Sequence, residues 1–428
     1  MANERKTDIW VYAHWKGIEK PQYMGMLSAT QAKGRTAFNF KYDSDWFKSA
    51  ARFHLDPDIS WYSGPQFPNN KENFGVFTDS MPDTWGRKLM QRRAAQLAKE
   101  NNRPVKSLQD LDYLLGVHDF TRMGALRFKT DPNGSFLDSD NHVPVPPWAS
   151  IRELQFSAKV FEEDVTGEDK KSLELLFAPG SSLGGARPKA NIVDDKGNLW
   201  IAKFPARNDT TNKAAWEYLA HRLALQSGLS MSDCRLEHIY GDYQTFFTKR
   251  FDRDGEERIQ FSSAMTMTGN NEEMLRGNTA SYLEIAEFLQ NSGSQNKTDL
   301  LELWRRIVFN IAISNTDDHL RNHGFLLSDG GWRLSPAYDL NPSIDKAGLG
   351  LNIDLYNNAL DIDLAKSVGE YFQLNNRQMD KIIAEVEEGT GNWREIASEL
   401  DIPRHEQELM SRAFTMQNGR NQSSGYSR

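Results

Sequence analysis

Four polar residues crowd one turn-like segment. Asp317, Asp318, His319 and Asn322 fall within six positions of the run S-N-T-D-D-H-L-R-N-H-G-F-L-L, which begins at Ser314. A further acid, Asp339, follows in S-P-A-Y-D-L-N-P-S. Phosphoryl transfer asks for such parts: a carboxylate that takes the proton of the attacking hydroxyl, and oxygen ligands that hold Mg2+ against nucleotide phosphates. An acid with an Asn five residues on, and a second acid beyond a hairpin, supplies them. On this reading Asp317 is the base, and Asn322 and Asp339 are the metal ligands. The same residues also suit an Asx-rich loop in which Asp317 or Asp318 caps a backbone turn. Spacing alone leaves both open.

The elements around this segment are legible from pattern. Leu300, Trp304, Ile307, Val308 and Ile311 recur at helical spacing, so an apolar-faced helix leads into the acidic turn. Phe325 to Leu327 form a short apolar run, Gly330-Gly331 turns the chain, and Trp332-Arg333-Leu334 brings it back. A hairpin of that size puts Asp339 beside Asn322. Upstream lies P-G-S-S-L-G-G-A-R-P-K-A-N-I, where the small residues Ser182, Gly184, Gly185 and Ala186 let successive backbone N–H groups approach a phosphate. The Walker A spacing is missing. Two strands follow, K-A-N-I-V and N-L-W-I-A-K-F-P, joined by D-D-K-G. Lys203 holds the place a kinase amino-terminal lobe gives its phosphate-binding lysine; the plainer alternative is a strand-edge lysine serving solubility. The next helix, ended by Gly228, carries Glu217, placed either to reach back to Lys203 or to serve as an ordinary surface acid.

The runs T-D-D-H-L-R-N, S-P-A-Y-D-L-N-P and S-S-L-G-G-A-R-P-K, with F-T-D-S-M-P-D-T-W-G-R near residue 80, resemble in order the motifs of the HipA family of bacterial serine/threonine kinases. Many members are toxins of toxin–antitoxin pairs. The resemblance spans nearly the whole chain. Where the family often has Gly after the catalytic Asp, this chain has Asp318, and the register to Asn322 points to Asp317 as the base. The resemblance implies ATP and Mg2+ as cofactors. It implies a nucleotide site of Lys203, Ser182, Gly184, Gly185, Ala186, Glu217, His319, Asn322 and Asp339, with the backbone from Phe247 to Lys249 as the hinge for the adenine edge. It further implies a protein hydroxyl as acceptor, an aminoacyl-tRNA synthetase among the candidates. Ser182, with its neighbour Ser181, matches a serine whose autophosphorylation shuts the kinase down; its phosphate would pair with Arg187 or Lys189. A helix-turn-helix antitoxin (HipB-like) is the implied partner, with DNA reached only through it.

Two other functions share these residues. A small-molecule or lipid kinase of related fold uses the same Asp, Asn and Asp set, and a catalytically silent binding partner in a toxin–antitoxin complex would keep the fold. The intact set Lys203, Asp317, Asn322 and Asp339 argues against the silent protein.

Composition sets the outer bounds. The 428 residues exceed one domain's usual length, and 39% hydrophobic content with 11 Trp and 23 Phe supports real cores. No apolar run is long enough for a membrane span, and the amino terminus lacks the apolar stretch of a secretion signal. A single cysteine, Cys234, excludes an internal disulfide, so a cytoplasmic location is expected. A net charge of −8 argues against unaided DNA binding. The expected fold is α+β, a protein-kinase-like two-lobed fold with a β-rich amino-terminal subdomain and a mostly helical carboxy-terminal lobe. The expected spans are 1–130 for a HipA-type subdomain, 131–250 for the amino-terminal kinase lobe with phosphate loop and lysine, and 251–428 for the helical lobe with catalytic loop and metal site.

Several motifs have plainer readings. Asp83 and Arg87 suit a cap and an ion pair at a helix start, His118 a hydrogen-bonded loop residue, and D-R-D-G-E-E a hairpin turn rather than a calcium loop. I-D-K-A-G-L-G-L-N-I-D-L reads as a loop with a short strand.

Overall fold

Period-two burial organises the start of the chain. Ile9, Val11 and Ala13 are fully buried along strand Arg5–Ala13, which pairs antiparallel with Gln22–Ala32 and with Leu126–Lys129. Arg35–Tyr42 pairs with Gln22–Ala32 and completes a four-stranded sheet. The computed structural model describes residues 5–32, 35–49, 53–137, 145–164, 169–180, 182, 185–276, 279–414 and 416.

The chain forms two compact units. The first comprises residues 1–208 and 249–262. Beside its sheet, it holds helices Thr84–Glu100, Ile151–Glu163 and Lys170–Gly180 and the hairpin of Lys189–Val193 with Leu199–Lys203. Asp83 caps the Thr84–Glu100 helix, its side chain accepting from the Thr84 N–H, and Arg87 pairs with Asp110 at 3.4 Å. His118 is buried, and its Nδ1 accepts from the Phe120 N–H at 3.1 Å. Arg253–Asp254 and Glu257–Arg258 pair as the small hairpin read from D-R-D-G-E-E. Around that hairpin, Asp252 is fully buried between Arg250 and Arg253, each 2.7 Å away. Burial alone would raise its carboxyl, but the two guanidinium groups hold it far below its ordinary value.

The second unit comprises residues 209–248 and 263–428 and is mostly helical. Its central helix, Asn296–Ala312, buries Leu300, Trp304, Ile307, Val308 and Ile311, the stripe that the spacing predicts. Neighbouring helices Tyr282–Ser292 and Asn376–Thr390 both begin in capping boxes, from Ser281 with Glu284 and from Asn375 with Gln378. The hairpin Gly324–Ser328 with Gly331–Leu334 follows the central helix. No named strand forms between Ile344 and Leu355; the segment makes only isolated bridges, such as Gly348 with Ala359. Local side-chain bonds compete there: Asp354 accepts from the Tyr356 and Asn357 N–H groups, and Asn358 donates to the Leu349 carbonyl. Among the described residues, no helix is long and apolar enough to cross a membrane.

Candidate active site

The central helix ends at Ala312, and Ser314 takes φ +51°, a left-handed turn that breaks the helix into the acidic segment. The turn is held from several sides. Ser314 Oγ donates to the Ala413 carbonyl at 2.8 Å, and the Ser314 carbonyl accepts from the Ser343 N–H at 3.1 Å. Asn315 Nδ2 donates to Asn310 Oδ1 at 3.1 Å.

The two adjacent acids have opposite fates. Asp318 is 1% exposed, and its carboxylate accepts from Tyr282 Oη, from Asn310 Nδ2 at 2.9 Å and from His323 Nε2 at 3.1 Å. Burial pushes its carboxyl up, and the His323 ring with the donated hydrogen bonds more than offsets this, so the group titrates below its ordinary value. Burial and the Asp318 charge hold the Tyr282 phenol well above its own. Gly350 lies directly against this backbone: a Cβ there would stand 2.1 Å from the Asp318 carbonyl oxygen. Asp317, by contrast, turns its side chain to solvent, 78% exposed, with Lys346 Nζ 3.6 Å away.

Asn322 sits in a single 3-10 turn, Leu320–Asn322, and is mostly buried. Its Nδ2 donates to the Asp317 carbonyl at 3.1 Å, which turns the amide nitrogen inward and leaves Oδ1 as the atom that could meet a cation. His319 precedes that turn and is exposed. Asp339 is exposed and adopts φ +58°. Its neighbour Tyr338 donates through Oη to the Arg321 carbonyl at 2.7 Å, which ties the Asp339 segment to the turn carrying Asn322. Among the described residues, no group of three or more His, Cys, Asp or Glu could hold a metal. Two oxygen donors on adjoining segments still fit Mg2+, which takes one or two protein ligands and completes its octahedron with phosphate and water.

The remaining expected residues divide between the units. In the first unit, Lys203 ends strand Leu199–Lys203 and stands opposite Lys189 in the ladder. Gly185 has φ +75°, a conformation that favours glycine, and Ala186 is exposed. Ser182 is buried, and Asn191 Nδ2 donates to its hydroxyl at 3.1 Å. Ser181 and Gly184 lie outside the described residues. In the second unit, Glu217 is buried on helix Lys213–Gln226, and Phe247 is fully buried on strand Thr245–Lys249, opposite Arg235. Lys249 ends that strand, where the division between the units falls.

Sequence reasoning missed Tyr282, Asn310 and His323 as the cradle of Asp318. A signal was present: Asn310 is the polar residue within the apolar stretch from Ile307 to Ala312.

Comparison with known proteins bears on the family and the fold. Residues 181–393 match the family model described as the HipA-like C-terminal domain. A Haemophilus influenzae protein named "Putative kinase" is 26% identical over 207 residues, covering 44% of this chain and 57% of the relative. "Putative kinase Y4mE" of Sinorhizobium fredii is 26% identical over 182 residues, covering 37% of this chain and 41% of that one. The matched region thus spans about half the length of these curated relatives. The HipA, HipB and operator DNA complex from the Shewanella oneidensis MR-1 toxin–antitoxin system contains a chain that superposes with a TM-score of 0.66 at 17% identity, covering 96% of both chains. At that identity the likeness shows the fold, which is the α+β, protein-kinase-like fold of HipA. The matched domain, the motifs and the shared fold place this chain in the HipA family.

Proposed function

We propose that this chain is an ATP- and Mg2+-dependent kinase that transfers the γ-phosphoryl group to a serine or threonine hydroxyl of a protein. The observation that carries the reading is the split between the two acids. Asp317 is solvent-facing on a turn fixed by Asn322, whereas the carboxylate of Asp318 is consumed by three internal donors.

In the forward step Asp317 accepts the acceptor hydroxyl's proton as that oxygen bonds to the γ-phosphorus and the bond to the leaving ADP oxygen breaks. Asn322 and Asp339 are the residues that would hold Mg2+, which supplies charge neutralisation on the phosphates. Lys203 is the proposed phosphate cation, the loop from Ser181 to Ala186 the phosphate cradle, Glu217 the partner of Lys203, and the Phe247–Lys249 backbone the adenine hinge. His319 belongs to the same nucleotide set. The spans 1–130, 131–250 and 251–428 are the functional divisions we assign to these roles.

The Shewanella structure contains HipB and operator DNA with its HipA. By analogy we assign this chain a helix-turn-helix antitoxin partner, contact with DNA through that partner only, and a cytoplasmic location. An aminoacyl-tRNA synthetase is a candidate protein substrate, and Ser182 is the candidate autophosphorylation site that silences the enzyme.

Asp317→Asn should lower phosphoryl transfer by about 10²–10⁴-fold, the usual worth of a general base, while MgATP binding survives. Near-normal turnover in Asp317→Asn would overturn the assignment. Labelled ATP in a cell lysate, followed by identification of the labelled species, tests the substrate class. Label confined to small molecules or lipids would refute the protein substrate.

A further inference from the structure

The run D-S-M-P-D-T-W-G-R is left over by the catalytic reading, which uses none of its residues. Within the first unit its middle grips the end of the small-residue loop twice and the strand after it once. Asp83 Oδ2 accepts from the Gly185 N–H at 3.2 Å. The Trp85 N–H donates to the Gly185 carbonyl at 2.9 Å. Trp85 Nε1 donates to the Lys189 carbonyl at 2.9 Å.

A helix cap alone does not call for this. The Asp83 side chain already accepts from the Thr84 N–H through Oδ1, at 2.7 Å, so its second oxygen serves a residue 102 positions away. Trp85 is 1% exposed, and its ring packs edge-on against Phe161 at 5.3 Å. The indole that anchors Lys189 is therefore itself fixed. Lys189 opens strand Lys189–Val193 and stands opposite Lys203 in the ladder. One helix start thus holds both the end of the candidate phosphate loop and the strand that sets the register of the candidate phosphate lysine.

We propose that Asp83 and Trp85 are positioning residues for the nucleotide: they hold the Gly185 end of the loop and the Lys189–Lys203 strand pair in the shape that receives the ATP phosphates. The inference rests on the reading of this loop and of Lys203 as the nucleotide site. A Gly185 backbone and strand pair already fixed before ATP arrives need not be ordered at the ligand's expense, so the latch acts on affinity. It touches no reacting atom, so turnover at saturating ATP is left to the residues around Asp317.

The test uses the full chain and MgATP, with the dissociation constant from calorimetric titration, kcat at saturating ATP, and the melting temperature. Asp83→Ser keeps a good helix cap but cannot serve the Thr84 and Gly185 N–H groups together. Trp85→Phe keeps an aromatic ring, removes the indole N–H and leaves a small cavity beside Phe161, whose cost the melting temperature reads separately. Each loses about one net hydrogen bond, so each should raise the dissociation constant for MgATP about 3- to 10-fold, with kcat changed less than twofold. A purely structural role predicts a lower melting temperature with unchanged affinity, and that result overturns the proposal, as does a fall in kcat at unchanged affinity. Should Trp85→Phe fail to fold, Asp83→Ser, whose side chain is only half-buried, decides alone. Lys203→Met separates the two levels of the argument. If it weakens MgATP binding and the latch variants do not, the latch is wrong; if it leaves binding intact, the nucleotide-site reading has failed and the latch with it.

Discussion

Replacing Asp318 and Asp317 in turn should give opposite phenotypes, and the magnitudes follow from their surroundings. Asp318→Ala removes the acceptor of three buried donors, from Tyr282, Asn310 and His323, in a place where water does not reach. Removing a buried, hydrogen-bonded charge in this way costs about 3–5 kcal/mol, because its donors lose their acceptor and only Asn310 keeps a partner among them, in Tyr282 Oη. For a unit of roughly 200 residues, each 1 kcal/mol moves the melting temperature by about 2–4 °C, so a loss of roughly 6–20 °C is expected. Asp317→Asn should move it little, since the side chain is 78% exposed and its pair with Lys346 is worth about 0–1 kcal/mol at most. The folded-state carboxyl of Asp318 titrates below its unfolded value, so its stabilisation is present above the ordinary carboxylate range. It is lost as the pH falls through the lowered value. The gap between wild type and Asp318→Ala should therefore be full at pH 7 and shrink below about pH 4. Denaturant melts of both variants across pH 3 to 8, with phosphoryl transfer measured at pH 7, provide the assay. An Asp318→Ala chain as stable as wild type, or an Asp317→Asn chain equally unstable, would refute the division of labour between the two acids.

Asp56 offers a second pH test: burial raises its carboxyl to about 6, so its contribution is fully present below about pH 4 and is lost as the pH rises through 6. Asp56→Asn should flatten the pH dependence of the first unit's stability between those limits, by up to about 3 kcal/mol in denaturant melts. If Ser182 is the autophosphorylation site, long incubation with MgATP should add a phosphate to it, seen by peptide mass and absent in Asp317→Asn. Because Ser182 is buried against Asn191, Ser182→Asp should also weaken MgATP binding. Gly350→Ala should lower stability by about 1–3 kcal/mol in the same melts, because its Cβ would press on the Asp318 carbonyl. The isolated chain should show no tight, salt-sensitive binding to operator duplex in a mobility-shift assay, and binding should appear when a helix-turn-helix antitoxin is added.

What was legible in the sequence is what local chemistry constrains. The stripe from Leu300 to Ile311 could be read because a helix repeats every 3.6 residues, and all five residues are buried on one helix. The turn at Gly330-Gly331 could be read because both glycines take positive φ there. The interval from Asp317 to Asn322 could be read because it spans a single turn, which the bond from Asn322 Nδ2 to the Asp317 carbonyl closes. The fate of Asp318 was signalled only by the polar Asn310 in an apolar stretch, because its partners come from another helix, from the preceding one and from beyond the turn, at separations of 36, 8 and 5 residues. Asp83 is a harder case: its cap is local, and its bond to Gly185 crosses 102 positions that no periodicity connects.

The same long-range logic bears on the position where the resembled family often has Gly and this chain has Asp318. Glycine there would supply no acceptor, and Tyr282, Asn310 and His323 would be left as buried donors facing one another. Removing donors together with their acceptor is far less costly than removing the acceptor alone. Part of the stability lost in Asp318→Ala should therefore return when Tyr282→Phe is added, because the phenyl ring keeps the packing of a fully buried side chain and discards a hydroxyl proton that has lost its acceptor, at the cost of the bond that Asn310 Nδ2 donates to Tyr282 Oη at 3.1 Å. A double variant no more stable than Asp318→Ala would mean that the cost lies elsewhere, in the Asp318 backbone or in the charge opposite His323.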